Sequence, residues 1–243
     1  MRVTFLGTGS AMPDGRRMQT GLLLVDGDRT LLVDAGSGVL HRLARTEIGY
    51  EGVDTILLTH HHLDHVSDLM PLLKARWLAG ETTLTVVGPA GTRDLLDGLL
   101  SVHEYMQDRV DLTVRDVEAG SFSVAGFDVD AMATRHSMPT LAYRFEETLT
   151  FSGDSEAFEE LAEFAAAGDV LVHDCSFPDA VDVSNHPTPS ALAEALAGRD
   201  LDSVYLTHLY PHTTGHHEAM VETVAATVDA DVVVARDGTA FSV

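Results

Sequence analysis

Six residues constrain this chain more than any others. His60-His61-His62-Leu63-Asp64-His65 directly follows the apolar run Thr55-Ile56-Leu57-Leu58-Thr59, so the pattern H-x-H-x-D-H falls at the end of a predicted strand. Its four specified positions are three imidazoles and one carboxylate, and His61 adds a fourth imidazole within the six residues. Histidine is a poor choice for a tight turn unless its ring nitrogens are used. Neutral imidazole with carboxylate is a usual ligand set for a borderline ion such as zinc. His60 and His62, alternate residues of a strand end, can face one ion. Asp64 and His65, after the chain turns, can reach a second.

Two ions need more ligands than one motif supplies, and suitable side chains recur at other strand ends. Asp34 closes one apolar run, and His136 follows another. Asp154 comes after Phe151-Ser152-Gly153, His173 and Asp174 end Val170-Leu171-Val172, and His208 follows Val204-Tyr205-Leu206-Thr207. A lone histidine after a strand is commonly a satisfied surface or core residue. Five such positions together with the hexapeptide point to one shared edge.

Strand-like runs bounded by glycine, aspartate or proline occupy residues 2–6, 21–25, 30–34, 55–59, 84–87, 110–114, 127–133, 141–145, 149–151, 170–173, 203–207 and 231–234. Helical patterns cover residues 38–45, 66–78, 91–100, 155–166, 189–197 and 218–228. No linker, repeat or low-complexity stretch divides the chain, so one domain over residues 1–243 is expected. Two mixed sheets face to face with helices outside, a four-layer α/β/β/α sandwich, is the simplest architecture. Layer logic permits it without forcing it over other mixed α/β folds.

The net charge is −23, and of the 15 basic residues only Lys74 is lysine. We read this as adaptation to high salt, where screening suppresses self-repulsion. In ordinary salt an acidic surface argues against nucleic acid, whose affinity comes from phosphate contacts and counterion release. At 1 M salt the Debye length falls to about 3 Å, so charge does not exclude a nucleic-acid substrate. No apolar run is long enough to span a bilayer, and the first residues enter a strand pattern with no signal peptide. The single cysteine, Cys175, allows no disulfide framework and no thiolate cage. A cytoplasmic protein is expected.

Taken in order, these motifs resemble those of metallo-β-lactamase-fold hydrolases, and most of all the ribonuclease Z-like branch. Phe5-Leu6-Gly7-Thr8-Gly9-Ser10-Ala11-Met12-Pro13 matches the opening signature. Leu32-Val33-Asp34-Ala35-Gly36 matches the first motif, and Leu58-Thr59-His60 through His65 the second. His136-Ser137-Met138-Pro139, Ser152-Gly153-Asp154 and Leu206-Thr207-His208-Leu209-Tyr210-Pro211 match the later motifs in order. The resemblance covers nearly the whole chain and is more specific for fold than for substrate. It implies two zinc ions per chain, with manganese or iron as alternatives for an N/O site. His60, His62 and His136 would hold the first, Asp64, His65 and His208 the second, and Asp154 would bridge them. Asp34 would orient a ligand histidine. A hydroxide between ions about 3.5–4 Å apart would attack phosphorus. A homodimer is implied by resemblance alone.

The same branch protonates its leaving group with a histidine supported by a glutamate. The matching segments are His186-Pro187-Thr188 and His173-Asp174-Cys175-Ser176. His186 is therefore the candidate general acid and Asp174 its support, with aspartate in place of the longer glutamate. Members that mature tRNA insert a Gly- and Pro-rich arm between the third-motif histidine and the bridging aspartate. Here only residues 137–153 lie between His136 and Asp154, so tRNA maturation is not expected. The pair Arg16-Arg17 could touch a phosphate but reads as solvated charge, and Met18 stands where the family has asparagine. Gly7-Thr8-Gly9-Ser10 reads as a tight turn near the site, residues 211–217 as a surface loop, and Trp77 with Leu78 as core or interface. The expected activity is hydrolysis of a small phosphodiester or of accessible RNA or DNA. The ligands do not choose the bond, so a lactone, thioester, sulfate ester or β-lactam is the alternative. A metal-binding protein without turnover is the third reading.

Overall fold

The computed structural model describes residues 1–181 and 183–243. Its strands in chain order are β1 (Arg2–Gly7), β2 (Gly21–Asp26), β3 (Arg29–Val33), β4 (Thr55–Leu57), β5 (Thr83–Pro89), β6 (Asp111–Val117), β7 (Gly120–Val124), β8 (Phe127–Ala133), β9 (Leu141–Phe145), β10 (Leu149–Phe151), β11 (Val170–Asp174), β12 (Ser203–Thr207), β13 (Asp231–Val234) and β14 (Ala240–Ser242). The helices are α1 (Val39–Leu43), α2 (Leu63–Val66), α3 (Leu69–Ala79), α4 (Thr92–Val102), α5 (Glu159–Ala165), α6 (Pro189–Leu196) and α7 (His217–Ala225). One sheet runs β14-β1-β2-β3-β4-β5-β6 and the other β13-β12-β11-β10-β9-β8-β7.

The four layers follow from strands that are apolar on both faces. Leu22 and Leu24 of β2, Leu31 and Val33 of β3, and Leu57 of β4 pack inward against Phe127, Tyr143, Phe145, Phe151 and Val172 of the second sheet. Their alternates Leu23, Leu32 and Ile56 face outward, onto Val39 and Leu43 of α1 and Leu69, Leu72 and Leu73 of α3. On the far side Leu171, Val204 and Leu206 meet Leu192 and Leu196 of α6 and Met220 and Val224 of α7. Period-two alternation of this kind sends successive side chains to opposite faces, so each sheet is covered twice. The expected α/β/β/α sandwich is the fold observed.

Strands β3 to β6 are parallel, as are β10 to β13. Their carboxyl ends therefore open on one edge, where loops carry function in such sheets. Gly36, in the loop after β3, is required there: a Cβ would lie 2.1 Å from the Asp64 carbonyl oxygen. Residues 137–153 contain β9, β10 and the turn between them, in which Glu146 and Glu147 both have positive φ and Thr148 N bonds to Phe145 O at 3.0 Å. The helix expected over residues 66–78 is divided into α2 and α3. The break is at Asp68, whose amide bonds to Ala35 O at 2.8 Å and whose carboxylate accepts from Leu40 N at 2.8 Å. Among the described residues, no helix is long and apolar enough to cross a membrane.

Candidate metal centre

Seven side chains carried beyond four strands, β4, β8, β10 and β12, meet at that edge. His60, His62, His136 and Asp154 bring ligand atoms within 4.8 Å of one another, and so do Asp64, His65, Asp154 and His208. Asp154 belongs to both groups. Its Oδ2 lies 3.6 Å from His60 Nε2, 3.8 Å from His136 Nε2 and 3.4 Å from His208 Nε2, while its Oδ1 lies 3.1 Å from His65 Nε2. Asp154 is thus the one carboxylate common to both groups.

The outer nitrogens of four of these rings are held by partners that fix the tautomer. Asp34, fully buried, accepts from Thr59 N and Thr59 Oγ1 at 2.8 Å each and from His65 Nδ1 at 2.7 Å. Because Thr59 Oγ1 gives its proton to Asp34, it accepts from His60 Nδ1 at 3.0 Å. Ser176 Oγ donates to Asp174 Oδ1 at 2.5 Å and so accepts from His208 Nδ1 at 2.9 Å. His136 Nδ1 donates to Asn185 O at 3.1 Å. Each Nδ1 thus carries the proton, and each Nε2 presents a lone pair to the interior. Thr59 and Ser176 were not assigned roles on sequence grounds. Their only signal was a hydroxyl beside each motif.

This interior fits divalent cations. His65 Nε2 and Asp154 Oδ1 are buried and make no hydrogen bond, although they are 3.1 Å apart. They are close enough to bond but not aligned to do so, which is the disposition of donors that share a third partner. His62 Nδ1 lies 3.1 Å from both His60 Nε2 and His136 Nε2, three nitrogens gathered as if around one acceptor of lone pairs. Nitrogen and oxygen donors of this kind suit zinc, iron or manganese. For His60 and His62 electrostatics agree, since both are held neutral; at His65 they register the buried negative charge. Burial, with His65 next, holds the His60 imidazole well below its usual range, and burial with His136 lowers His62. Burial would also lower His65, but Asp154 and Asp34 outweigh it and hold it up at about 10. Burial pushes Asp154 up, yet His208 and His65 hold it well below the carboxylate range.

Beside these groups His186 and Asp174 are paired. His186 Nδ1 is 2.7 Å from Asp174 Oδ2, and the His186 ring stacks on His208 at 5.3 Å between centroids. Aspartate at 174 therefore reaches the histidine despite its shorter side chain. Burial opposes protonation of His186, but Asp174 raises it above the usual histidine range. Asp174 itself, despite burial, is drawn down to about 2 by His186. Phe177 and Tyr210 stack at 4.4 Å along the same side.

Other sequence candidates lie elsewhere. His173 turns Nδ1 to Asp174 O at 2.6 Å and joins neither ligand group. His61 points away, to Thr92 Oγ1 at 2.8 Å. Arg17 is not solvated charge: it donates to Thr8 Oγ1 at 2.5 Å and Ala235 O at 2.7 Å. Cys175 is buried, and burial followed by Asp174 pushes its thiol well up. Trp77 carries Lys74 Nζ at 4.1 Å over its ring, and Leu78 is exposed. Asp34 and His208 both hold positive φ, 61° and 55°. For non-glycine residues that conformation costs about 1–2 kcal/mol each, and it is kept where it aims a side chain into the centre.

A family model for the anti-Pycsar protein Apyc1 matches residues 1–195. Ribonuclease Z of Mycobacterium avium (strain 104) is 30% identical over 262 residues, covering 93% of this chain and 92% of its own length. Ribonuclease Z of Mycobacterium bovis (strain BCG / Pasteur 1173P2) is 29% identical with the same coverage. Among solved structures, the fold is similar to the metallo-β-lactamase fold protein YhfI from Bacillus subtilis, with a TM-score of 0.86, 22% identity and 99% and 98% of the two chains covered. It is also similar to the short form of human tRNase Z, ELAC1, with a TM-score of 0.78, 22% identity and 100% and 99% coverage.

Proposed function

The chain belongs to the family of the anti-Pycsar protein Apyc1, among the ribonuclease Z-like metal-dependent hydrolases, and from that premise we propose that it is a dinuclear zinc phosphodiesterase acting on a small phosphodiester or on accessible RNA or DNA. The observation that carries this reading is the His186–Asp174 pair set against seven converging donors. His60, His62 and His136 would hold one cation, Asp64, His65 and His208 the other, with Asp154 shared. The bound cations would supply Lewis acidity and an acidified water.

The remaining work falls to the chain's own residues. Asp34, through His65, and Ser176, through His208, keep the ligand nitrogens aimed inward. Asp174 keeps the His186 imidazole protonated and oriented through Nδ1, which leaves Nε2 free to give its proton to the departing oxygen. A phosphodiester with an alkoxide leaving group gains from that proton. A lactone or thioester hydrolase does not need it, which is why the pair favours phosphorus over carbon. With residues 137–153 occupied by β9 and β10, tRNA maturation stays outside this proposal. The acidic surface is read as suited to a saline cytoplasm, and a homodimer is kept as part of the same reading.

The test is hydrolysis of bis(p-nitrophenyl) phosphate in multimolar KCl by the wild type and Asp64→Ala, with metal content measured on the same samples. Turnover with about two metals per chain, abolished in the variant, is expected. Two bound metals and no phosphodiester turnover would overturn the reading and redirect the search to lactones and thioesters.

A further inference from the structure

A second anion-seeking feature lies on the same edge of the sandwich, outside the metal centre. A surface pocket of about 380 Å³ is lined by Arg16, Arg17, Arg42 and Arg236 together with Asp14 and Asp237. Four of the fourteen arginines of a chain with net charge −23 thus share one depression. Arg16 and Arg17 sit on the loop after β1, Arg42 on α1 and Arg236 just beyond β13.

The two carboxylates offset two of these four charges, those of Arg17 and Arg42. Asp237 accepts from Thr8 N at 3.0 Å, Thr8 Oγ1 at 2.6 Å and Met18 N at 2.6 Å, and faces Arg42 Nη2 at 3.6 Å, with 5% of its side chain exposed. Asp14 accepts from Arg16 N and Arg17 N at 2.8 Å each, and its second oxygen faces Arg17 Nε at 3.9 Å. Arg17 and Arg42 are therefore framework. Arg16 and Arg236 are exposed, and among the described residues neither guanidinium has a carboxylate partner. His217, also at the pocket, is held below the usual histidine range by burial and then by Arg17 and Arg236, which is what a locally positive potential does to an imidazole.

The pocket is coupled to the metal centre by a short stretch of chain. Leu209, next to His208, donates its amide to Thr8 O at 3.0 Å, and Thr8 is the residue that Arg17 and Asp237 hold. The loop that begins with Tyr210 at the metal centre reaches the pocket wall at Thr214 and Gly215. Guanidinium groups pair with phosphate oxygens in a fixed fork, and a positive patch on an acidic body draws anions to itself.

We propose that this pocket binds a phosphate group distinct from the one at the metal centre, through Arg16 and Arg236. That phosphate is either a remote phosphate of an extended substrate, in which case the inference rests on the phosphodiesterase reading, or part of a free phosphate-bearing small molecule, in which case it does not. The probe is inorganic tripolyphosphate, titrated calorimetrically into the metal-loaded full chain at about 0.1 M salt, with metal content checked before and after. Arg16→Gln/Arg236→Gln is expected to weaken binding at least about tenfold. Equal binding by both proteins overturns the proposal. If the double variant fails to fold, Arg236→Gln alone, at an exposed position, decides the same question. Steady-state kinetics then separate the sources. A KM for oligothymidylate raised about tenfold at unchanged kcat, a salt slope smaller by about 1.4, and an unaltered KM for bis(p-nitrophenyl) phosphate assign the pocket to the substrate. Lost tripolyphosphate binding with both KM values unaltered assigns it to a free phosphate ligand. If no phosphodiester is hydrolysed at all, the enzymatic reading fails while the tripolyphosphate titration still decides the pocket.

Discussion

Replacing Asp34 with asparagine isolates what a carboxylate behind a ligand histidine contributes. The position has φ 61°, a conformation that asparagine tolerates nearly as well as any non-glycine residue, so the change leaves the backbone unstrained. Shape and volume are kept, and one oxygen becomes an NH2. If the remaining oxygen stays on Thr59 N, the NH2 faces Thr59 Oγ1 and His65 Nδ1, the two groups that donate to Asp34 Oδ2. Thr59 can turn its hydroxyl. His65 can accept from the amide only by moving its proton to Nε2, and that proton then points at Asp154 Oδ1, 3.1 Å away, where a lone pair is needed for a cation. The lost charge-assisted bond is worth about 1.5–3 kcal/mol. At about 1.4 kcal/mol per tenfold, zinc should bind roughly 10–100-fold more weakly, in keeping with the usual effect of removing such an outer partner. Competition against a colorimetric chelator reads this directly, with near-ultraviolet circular dichroism to show that the fold is intact. A folded Asp34→Asn protein with wild-type zinc affinity would falsify the tautomer argument.

Three further outcomes follow from the geometry. His186→Ala should keep its metal and lose about 10²–10⁴ in kcat on a dinucleotide, whose alkoxide must be protonated, but far less on bis(p-nitrophenyl) phosphate, whose phenolate leaves unaided. Equal losses on both substrates would remove His186 from the acid role. Stripping metal with a chelator should lower Tm by roughly 8–16 °C, because a ligand at about a thousand times its Kd stabilises by about 4 kcal/mol and a chain of this size shifts about 2–4 °C per kcal/mol. Identical melts with and without chelator would contradict a cation-bound native state. Gly36→Ala drives a Cβ to 2.1 Å from the Asp64 carbonyl oxygen, so denaturant unfolding should show a loss of about 1–3 kcal/mol together with weaker metal binding. Wild-type stability would mean the two loops can separate without consequence.

Much of this molecule was legible because its strands are short, apolar and cleanly punctuated. The runs at residues 127–133, 141–145, 149–151, 203–207 and 231–234 coincide with β8, β9, β10, β12 and β13. Strands β7 and β14 went unrecognised. Each lies at the margin of a sheet, and each is largely exposed, so neither carries the apolar signal that marks a buried strand. The helix expected over residues 155–166 begins only at Glu159, because Ser155 and Glu156 spend their amides on Asp174 Oδ2 and Arg135 O. The candidate ligands were visible because metal chemistry restricts residue type and strand ends restrict position. Thr59, Ser176 and the Asn185 carbonyl were not, since a hydroxyl or carbonyl can serve as an outer partner at almost any site. Arg17 was misread for a related reason. Nothing in a pair of arginines shows that one is spent on Thr8 and Ala235, a contact more than two hundred residues away in sequence.

Charge explains why this edge demands cations. Asp34, Asp64, Asp154 and Asp174 are at most 4% exposed. Removing a carboxylate from water without compensation costs several kcal/mol, yet among the described residues every ion-pair partner of these four is a histidine. The arginines are spent elsewhere, as with Arg76, the most deeply buried of them, which donates to the carbonyls of Tyr50, Glu51 and Thr83. Without a cation, a second proton on each of His65 and His208 would offset part of the negative charge. They cannot serve the other group, because His60 Nε2 and His136 Nε2 each lie 3.1 Å from His62 Nδ1, and protonating all three would set N–H against N–H. A positive centre that accepts lone pairs satisfies both groups at once. It offsets the buried carboxylates, lets Asp154 face two sets of rings, and gives His65 Nε2 and Asp154 Oδ1 the partner that no atom among the described residues supplies.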